Sequence, residues 1–186
     1  MGHRALVAYR RPDHLYDLRY SHWGGAELDV LEHLSADTPL AGGRIDADLL
    51  ADSASLDTVL TDFLDPCGYE ALILVSQSFE ARAYRVCWLE WGDGRDQGRG
   101  ALVDVDPGPR DLTVRIWFRA TKTVLADVVE MGVLSRRAAL SYLEARIAED
   151  QNGYFYTYGR SNPSADSRER AGSNRVDAFF EEDDLG

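Results

Sequence analysis

The chain has 186 residues, 45% hydrophobic and 28% charged, with a formal net charge of −12. It is long and apolar enough to bury one sizeable core, and its aromatic and β-branched content excludes a disordered chain. No apolar run approaches the ~20 residues of a membrane-spanning helix and no signal-peptide stretch opens the chain, so a soluble cytoplasmic protein is expected.

Residues 4–10 and 15–22 are β-rich runs flanking Arg11-Pro12-Asp13-His14, the composition of a hairpin turn. With Pro12 and Asp13 as a two-residue loop, Ala5, Val7 and Tyr9 would oppose Tyr20, Leu18 and Tyr16; a loop one residue longer shifts that register. A short helix is expected over 26–34, opened after Gly24-Gly25. A longer helix is expected over 46–65, through Leu49, Leu50, Leu56, Val59, Leu60, Phe63 and Leu64, with Ser55 as a fair N-cap and Pro66 as a stop. Strands follow at 69–77, 82–91, 101–105 and 111–118. Two helices are expected at 121–131 and 136–149, broken at Gly132, with Ser135 capping the second. Residues 154–158 form a last short strand. The elements are segregated rather than alternating, which points to an α+β fold: a mainly antiparallel sheet of about six strands, an N-terminal hairpin and helices packed on the sheet.

After Gly159 the composition changes. RSNPSADSRERAGSN has no large apolar residue and reads as a flexible linker to an acidic tail, so the expected organisation is one domain over 1–159 and a flexible C-terminal tail over 160–186.

Charge is distributed unevenly. Residues 26–66 carry ten acids and one arginine, a net −9, whereas 111–150 balance at six and six. Of the 20 basic residues 19 are arginine, and Lys122 is the sole lysine. An Asp-rich, lysine-poor surface suits molar salt: at ~1 M the Debye length falls to ~3 Å and self-repulsion is screened. The same composition also arises in an ordinary acidic protein of a GC-rich genome.

The opening MGHRALVAYRRPD…LYDLRYSHWGG resembles the start of an uncharacterised haloarchaeal family defined only as a domain of unknown function. It is also similar to phage and plasmid proteins that begin with a Met-Gly-x-Arg strand and end the hairpin in His-Trp-Asp-Gly, where this chain has Gly24 in place of Asp. The resemblance implies a halophilic origin and no activity.

Several residue sets bear on function. In the first hairpin register His3 and His22 face each other, and with Glu27 or Asp29 they could begin a transition-metal site, although no complete ligand spacing accompanies them. Packing of His22 and Trp23 before the Gly-Gly turn is the structural alternative. His14 reads as a turn residue and His33 as a cation near a helix end. Cys67 and Cys87 fit no metal spacing and read as small buried hydrophobes. The loop from Gly92 to Gly100 lacks the phosphate-cradle pattern and reads as a polar hairpin loop.

The stretch 111–150 is similar to the strand-helix-helix layout of ribbon-helix-helix repressors. That resemblance implies Arg115, with Thr113, for a DNA groove and Ser135 and Arg136 at a phosphate. A two-helix layer packed on the sheet is the alternative. In the tail, Ser173, Val176, Phe179 and Phe180 follow the spacing of a sliding-clamp-binding peptide, with Ser173 where glutamine belongs; docking of the same residues on the chain's own domain is the alternative. No cofactor is implied. The leading expectation is a non-enzymatic interaction protein, ahead of a DNA-binding regulator or a metal-dependent enzyme centred on His22.

Overall fold

The computed structural model describes residues 3–91 and 98–159. Seven strands build one sheet in the order β3-β2-β1-β4-β5-β6-β7. These are β1 (Ala5–Arg10), β2 (Tyr16–Ser21), β3 (Leu49–Ala54), β4 (Ala71–Val75), β5 (Ala81–Trp88), β6 (Gly98–Val105) and β7 (Tyr154–Tyr158). Every neighbouring pair is antiparallel except β1 with β4, which run parallel at the centre. The α+β class and the N-terminal hairpin are as expected from the sequence, with one strand more.

Both faces of the sheet are covered, so its central strands read as unbroken apolar runs instead of alternating ones. All five residues of β4, Ala-Leu-Ile-Leu-Val, are buried. One face carries Ala5, Val7, Ala71, Ile73, Ala83, Cys87, Ala101 and Val103. These small side chains let two long helices lie close: α2 (Pro109–Glu130) through Val114 and Leu125, and α3 (Arg136–Gln151) through Ala139, Leu143 and Ile147. The rest of that face lies under Leu28, Val30, Ala41 and Ile45. The opposite face presents Leu6, Leu18, Leu72, Tyr84, Leu102 and Tyr156. It is closed by α1 (Leu56–Thr58) and the wider turn Val59–Phe63 through Leu56, Val59, Leu60 and Leu64. No helix among the described residues is long and apolar enough to cross a membrane.

Four expectations are corrected. The hairpin takes the longer loop: Ala5 pairs Ser21 and Val7 pairs Arg19, one residue away from the two-residue-loop register. The turn spans residues 11–15, closed by Arg11 N–H donating to the Leu15 carbonyl at 2.8 Å, with His14 at φ 62°. Over 26–34 only the 3-10 turn Asp29–His33 forms, entered through Leu28 in the left-handed region.

The expected helix over 46–65 is strand β3 followed by a short helix. Helical periodicity begins only at Leu56, while Leu49 and Leu50 lie exposed on an edge strand. Ser55 does cap, its side chain accepting from the Thr58 N–H at 3.1 Å. The expected strand over 111–118 is the first two turns of α2. Pro109 occupies the opening turn, and Asp111, Val114, Phe118, Lys122 and Leu125 recur at helical spacing. Packing of that stripe against the sheet overrides the β preference of Thr113, Val114, Ile116 and Trp117.

Candidate functional site

A cleft of about 440 Å³ opens between β5 and α2. Strand β5 and its continuation contribute Arg85, Val86, Cys87 and Trp91, while α2 contributes Val114, Arg115, Phe118, Arg119, Lys122, Thr123 and Ala126. Helical spacing puts these α2 residues on one face over about three turns, or ~18 Å of axis. His3 and Glu70 complete the lining.

Two cations in the cleft are held in opposite ways. Arg85 and Asp111 are each 3% exposed. The Arg85 guanidinium grips the carboxylate with two donors, Nε to Oδ1 and Nη2 to Oδ2, the latter at 2.7 Å. Its remaining donors reach the Gly25 carbonyl and the Ala26 carbonyl, the latter at 3.0 Å. Arg115 adds a bond to the same Ala26 carbonyl at 2.8 Å. Asp111 sits in the first turn of α2, where the helix dipole also favours a carboxylate.

The Ser-His-Trp-Gly-Gly stretch and the alanine after it supply those two carbonyls, and the local bonds of the stretch explain its composition. The Gly24 N–H donates to the Ser21 hydroxyl, which donates to the Arg44 carbonyl at 2.7 Å. The Gly25 N–H donates to the His3 carbonyl at 2.8 Å. A Cβ at Gly25 would lie 2.7 Å from the Arg4 carbonyl oxygen and one at Gly24 2.6 Å from the Ser21 hydroxyl, so neither position has room for a side chain.

Lys122 makes no ion pair among the described residues, and the Glu90 carboxylate acts on it only through space. Its ammonium donates to the Trp88 carbonyl and lies 4.1 Å from the Trp88 ring centre. The rings of Phe118 and Trp91 stand at 5.8 and 5.9 Å. Burial pushes its pKa down from the ordinary lysine value to about 8, because the charged form loses solvent that three rings and one carbonyl do not fully replace. The neighbouring Cys87 thiol is pushed up to about 12 by the same loss of water. Trp91 brings a buried indole N–H that has no acceptor among the described residues.

The cleft is electropositive in a chain whose net charge is −12. Its lining holds Arg85, Arg115, Arg119 and Lys122 against the single carboxylate of Glu70. Asp111 answers Arg85, and the His3 ring bonds Glu70 at 2.9 Å. Arg119 is exposed and makes no ion pair among the described residues. Electrostatically the cleft suits an anion, and its Trp91, Phe118, Val114 and Val86 walls suit an apolar body.

The residues singled out from sequence fall elsewhere or only partly here. In the observed register Trp23 rather than His22 follows on opposite His3, and its ring contacts both imidazoles, at 6.3 Å and 4.7 Å. The His22 ring meets the Tyr20 hydroxyl at 3.0 Å, and Asp29 lies 3.8 Å from Arg44. Among the described residues no three His, Cys, Asp or Glu side chains gather as a metal site would require.

The strand that a ribbon-helix-helix layout needs is absent, since Thr113 and Arg115 lie on α2. Arg115 is bonded into the cleft, while Ser135 caps α3 by accepting from the Ala138 N–H at 3.2 Å. Arg136 is the first residue of α3 and is exposed. Cys87 is buried as expected, but Cys67 is exposed, held outside the core in the turn after Pro66. Val176, Phe179 and Phe180 lie outside the described residues, as do the linker and most of the loop after Trp91.

Sequence reasoning missed Arg85, Arg119 and the surroundings of Lys122. The signals were present: an arginine inside an apolar strand, and one lysine in a chain that otherwise uses arginine. Neither the curated proteins nor the solved structures contain a match to the chain. A family model does match, over residues 1–48 and 42–153. The chain belongs to DUF6735, a family of unknown function.

Proposed function

We propose that the protein is a binding protein for a small organic anion with a flat apolar body, held in the cleft between β5 and α2. The observation that carries this reading is the concentration of Arg115, Arg119 and Lys122 on one apolar-walled cleft of an acidic chain. Neither Arg119 nor Lys122 makes an ion pair among the described residues, Glu90 acting on Lys122 only through space. Thermal shift with phenyl phosphate, benzoate and benzylamine tests it. The two anions are expected to raise the melting temperature, benzylamine is not, and Arg119→Glu should remove the shift. Equal responses to amine and anion, or none to either, would overturn the reading.

The finer setting follows from the same charge pattern. We place the protein in a salt-rich, haloarchaeal cytoplasm, as an accessory protein rather than an enzyme, with the tail around Val176, Phe179 and Phe180 as a contact for a protein partner such as a sliding clamp. Nine of the ten acids between residues 26 and 66 are exposed, Asp65 alone being half-buried, and Arg44 is the one base among them, so most of their repulsion is left to counterions. Circular dichroism should show the fold lost as salt is lowered from molar toward 0.1 M; full stability at ~0.1 M would remove that setting.

A further inference from the structure

Among the cleft's cations, Lys122 differs in kind. Arginine fills 19 of the 20 basic positions, and a guanidinium keeps its proton under all ordinary conditions. An amine can lose its proton and become a nucleophile. Lys122 is the chain's one side-chain amine, and it lines the cleft rather than the open surface. No ion pair pins it as an ammonium among the described residues; the Glu90 carboxylate and the Cys67 and Cys87 thiols act on it through space, and loss of solvent outweighs them. Arg119 precedes it by three residues on the same face of α2, with the two β-carbons ~5–6 Å apart, so a fixed positive charge lines the same cleft.

Resting on the anion-binding reading of the cleft, we propose that Lys122 captures the carbonyl group of a small aldehyde or ketone that also bears a phosphate or carboxylate, forming an imine at Nζ while Arg119 holds the anionic group. The neutral amine's lone pair adds to the carbonyl carbon, the carbonyl π pair passes to oxygen, and a proton moves through water from the now cationic nitrogen to that oxygen. The resulting carbinolamine loses its hydroxyl as water after protonation, and the nitrogen lone pair closes the C=N bond. Overall one amine and one carbonyl compound give one imine and one water, with no oxidant or reductant. The protonated imine carries the same single positive charge as the ammonium it replaces. The rings of Trp88, Trp91 and Phe118 that hold the ammonium therefore hold the iminium as well. Burial supports the nucleophile: with a pKa of about 8, Lys122 is neutral at pH 7.5 about two hundredfold more often than a solvated lysine.

Reductive trapping tests this on the full chain, with pyridoxal phosphate as probe and borohydride as reductant. The chain holds no other lysine, so peptide mapping need separate Lys122 only from the terminal amine. The expected result is one adduct at Lys122, formed at least about tenfold faster than on N-acetyl-lysine, with a rate that rises through a midpoint near pH 8. Lys122→Arg, checked for folding by circular dichroism, should lose it, and Arg119→Glu should slow it about tenfold or more, by the affinity a charge-assisted contact supplies. Trapping at Lys122 no faster than on N-acetyl-lysine overturns the proposal. If phenyl phosphate still raises the melting temperature in that case, the cleft remains an anion site and Lys122 is only its cation. If phenyl phosphate binding also fails, the anion-binding reading falls with the proposal.

Discussion

Arg85 and Lys122 are two part-sequestered cations on one cleft, and the protein treats them oppositely. Arg85 is locked by a carboxylate and two backbone carbonyls drawn from two other segments: α2 for Asp111, and the chain at Gly25 and Ala26 for the carbonyls. Lys122 is surrounded by rings and has one carbonyl. A buried charge that is fully bonded ties elements together and is costly to disturb. A buried charge left short of partners carries a depressed pKa and stays chemically available. The Arg85 end of the cleft is thus the part that holds β5, α2 and the hairpin end in register, and the Lys122 end is the part free to meet a ligand.

That contrast is broken most forcefully at Asp111. In Asp111→Ala the Arg85 guanidinium stays buried without its carboxylate, and the expected loss is about 3–5 kcal/mol of unfolding free energy by denaturant titration. The double replacement Arg85→Met with Asp111→Leu should recover most of it, because the apolar pair leaves no stranded charge. A loss below ~1 kcal/mol in the single variant would mean that the pair anchors nothing.

Lys122→Met should change stability by less than ~2 kcal/mol at pH 7, since a lost cation–π contact is offset by removal of a poorly solvated charge. Its signature is in the pH dependence. The folded pKa of about 8 lies below the unfolded value of 10.5, so between them the unfolded chain binds more protons than the folded one. Stability of the natural protein should therefore rise from about pH 8 to 10.5 relative to Lys122→Met, and the two curves should run parallel below that window. Parallel curves throughout would show Lys122 to be solvated like any surface lysine.

How far the sequence disclosed this arrangement depended on whether a feature was local. The strands at β4, β5 and β7 and the caps at Ser55 and Ser135 were readable because each rests on its own run or its own hydroxyl. The hairpin was readable too, but its register turned on whether residues 11–15 closed as a short or a long loop. The segments 49–54 and 111–118 were misread for one shared reason. Leu49-Leu50 fits a helix and Thr113-Val114-Arg115-Ile116 fits a strand when taken alone, and each was decided by what it packs against: β2 for the first, the sheet face for the second. The cleft was the least legible. Lys122 stood out by being alone, but Trp88 and Trp91 reach it only through the placing of β5 under α2, and the Arg85–Asp111 pair spans 26 residues.

The smallest expected effect lies at the start of α3, where a polar contact is exposed rather than buried. Ser135 has extended backbone angles and its hydroxyl accepts from the Ala138 N–H at 3.2 Å, satisfying one of the four N–H groups that a helix start leaves open. Water can replace that hydroxyl, as it cannot replace Asp111 beside Arg85, so Ser135→Ala should cost about 1 kcal/mol. Ser135→Asp should restore the bond and add a favourable charge at a first turn that has no acidic residue, bringing stability back to the natural level or slightly above. Both are read from the denaturation midpoint at a fixed salt concentration, because screening weakens the charge contribution. If Ser135→Ala costs nothing, α3 is fixed by Ala139, Leu143 and Ile147 in the core, and its first turn is free to fray. If it costs as much as Asp111→Ala, exposure does not separate the two contacts, and the distinction between a locking and an available polar group fails at both ends of the scale.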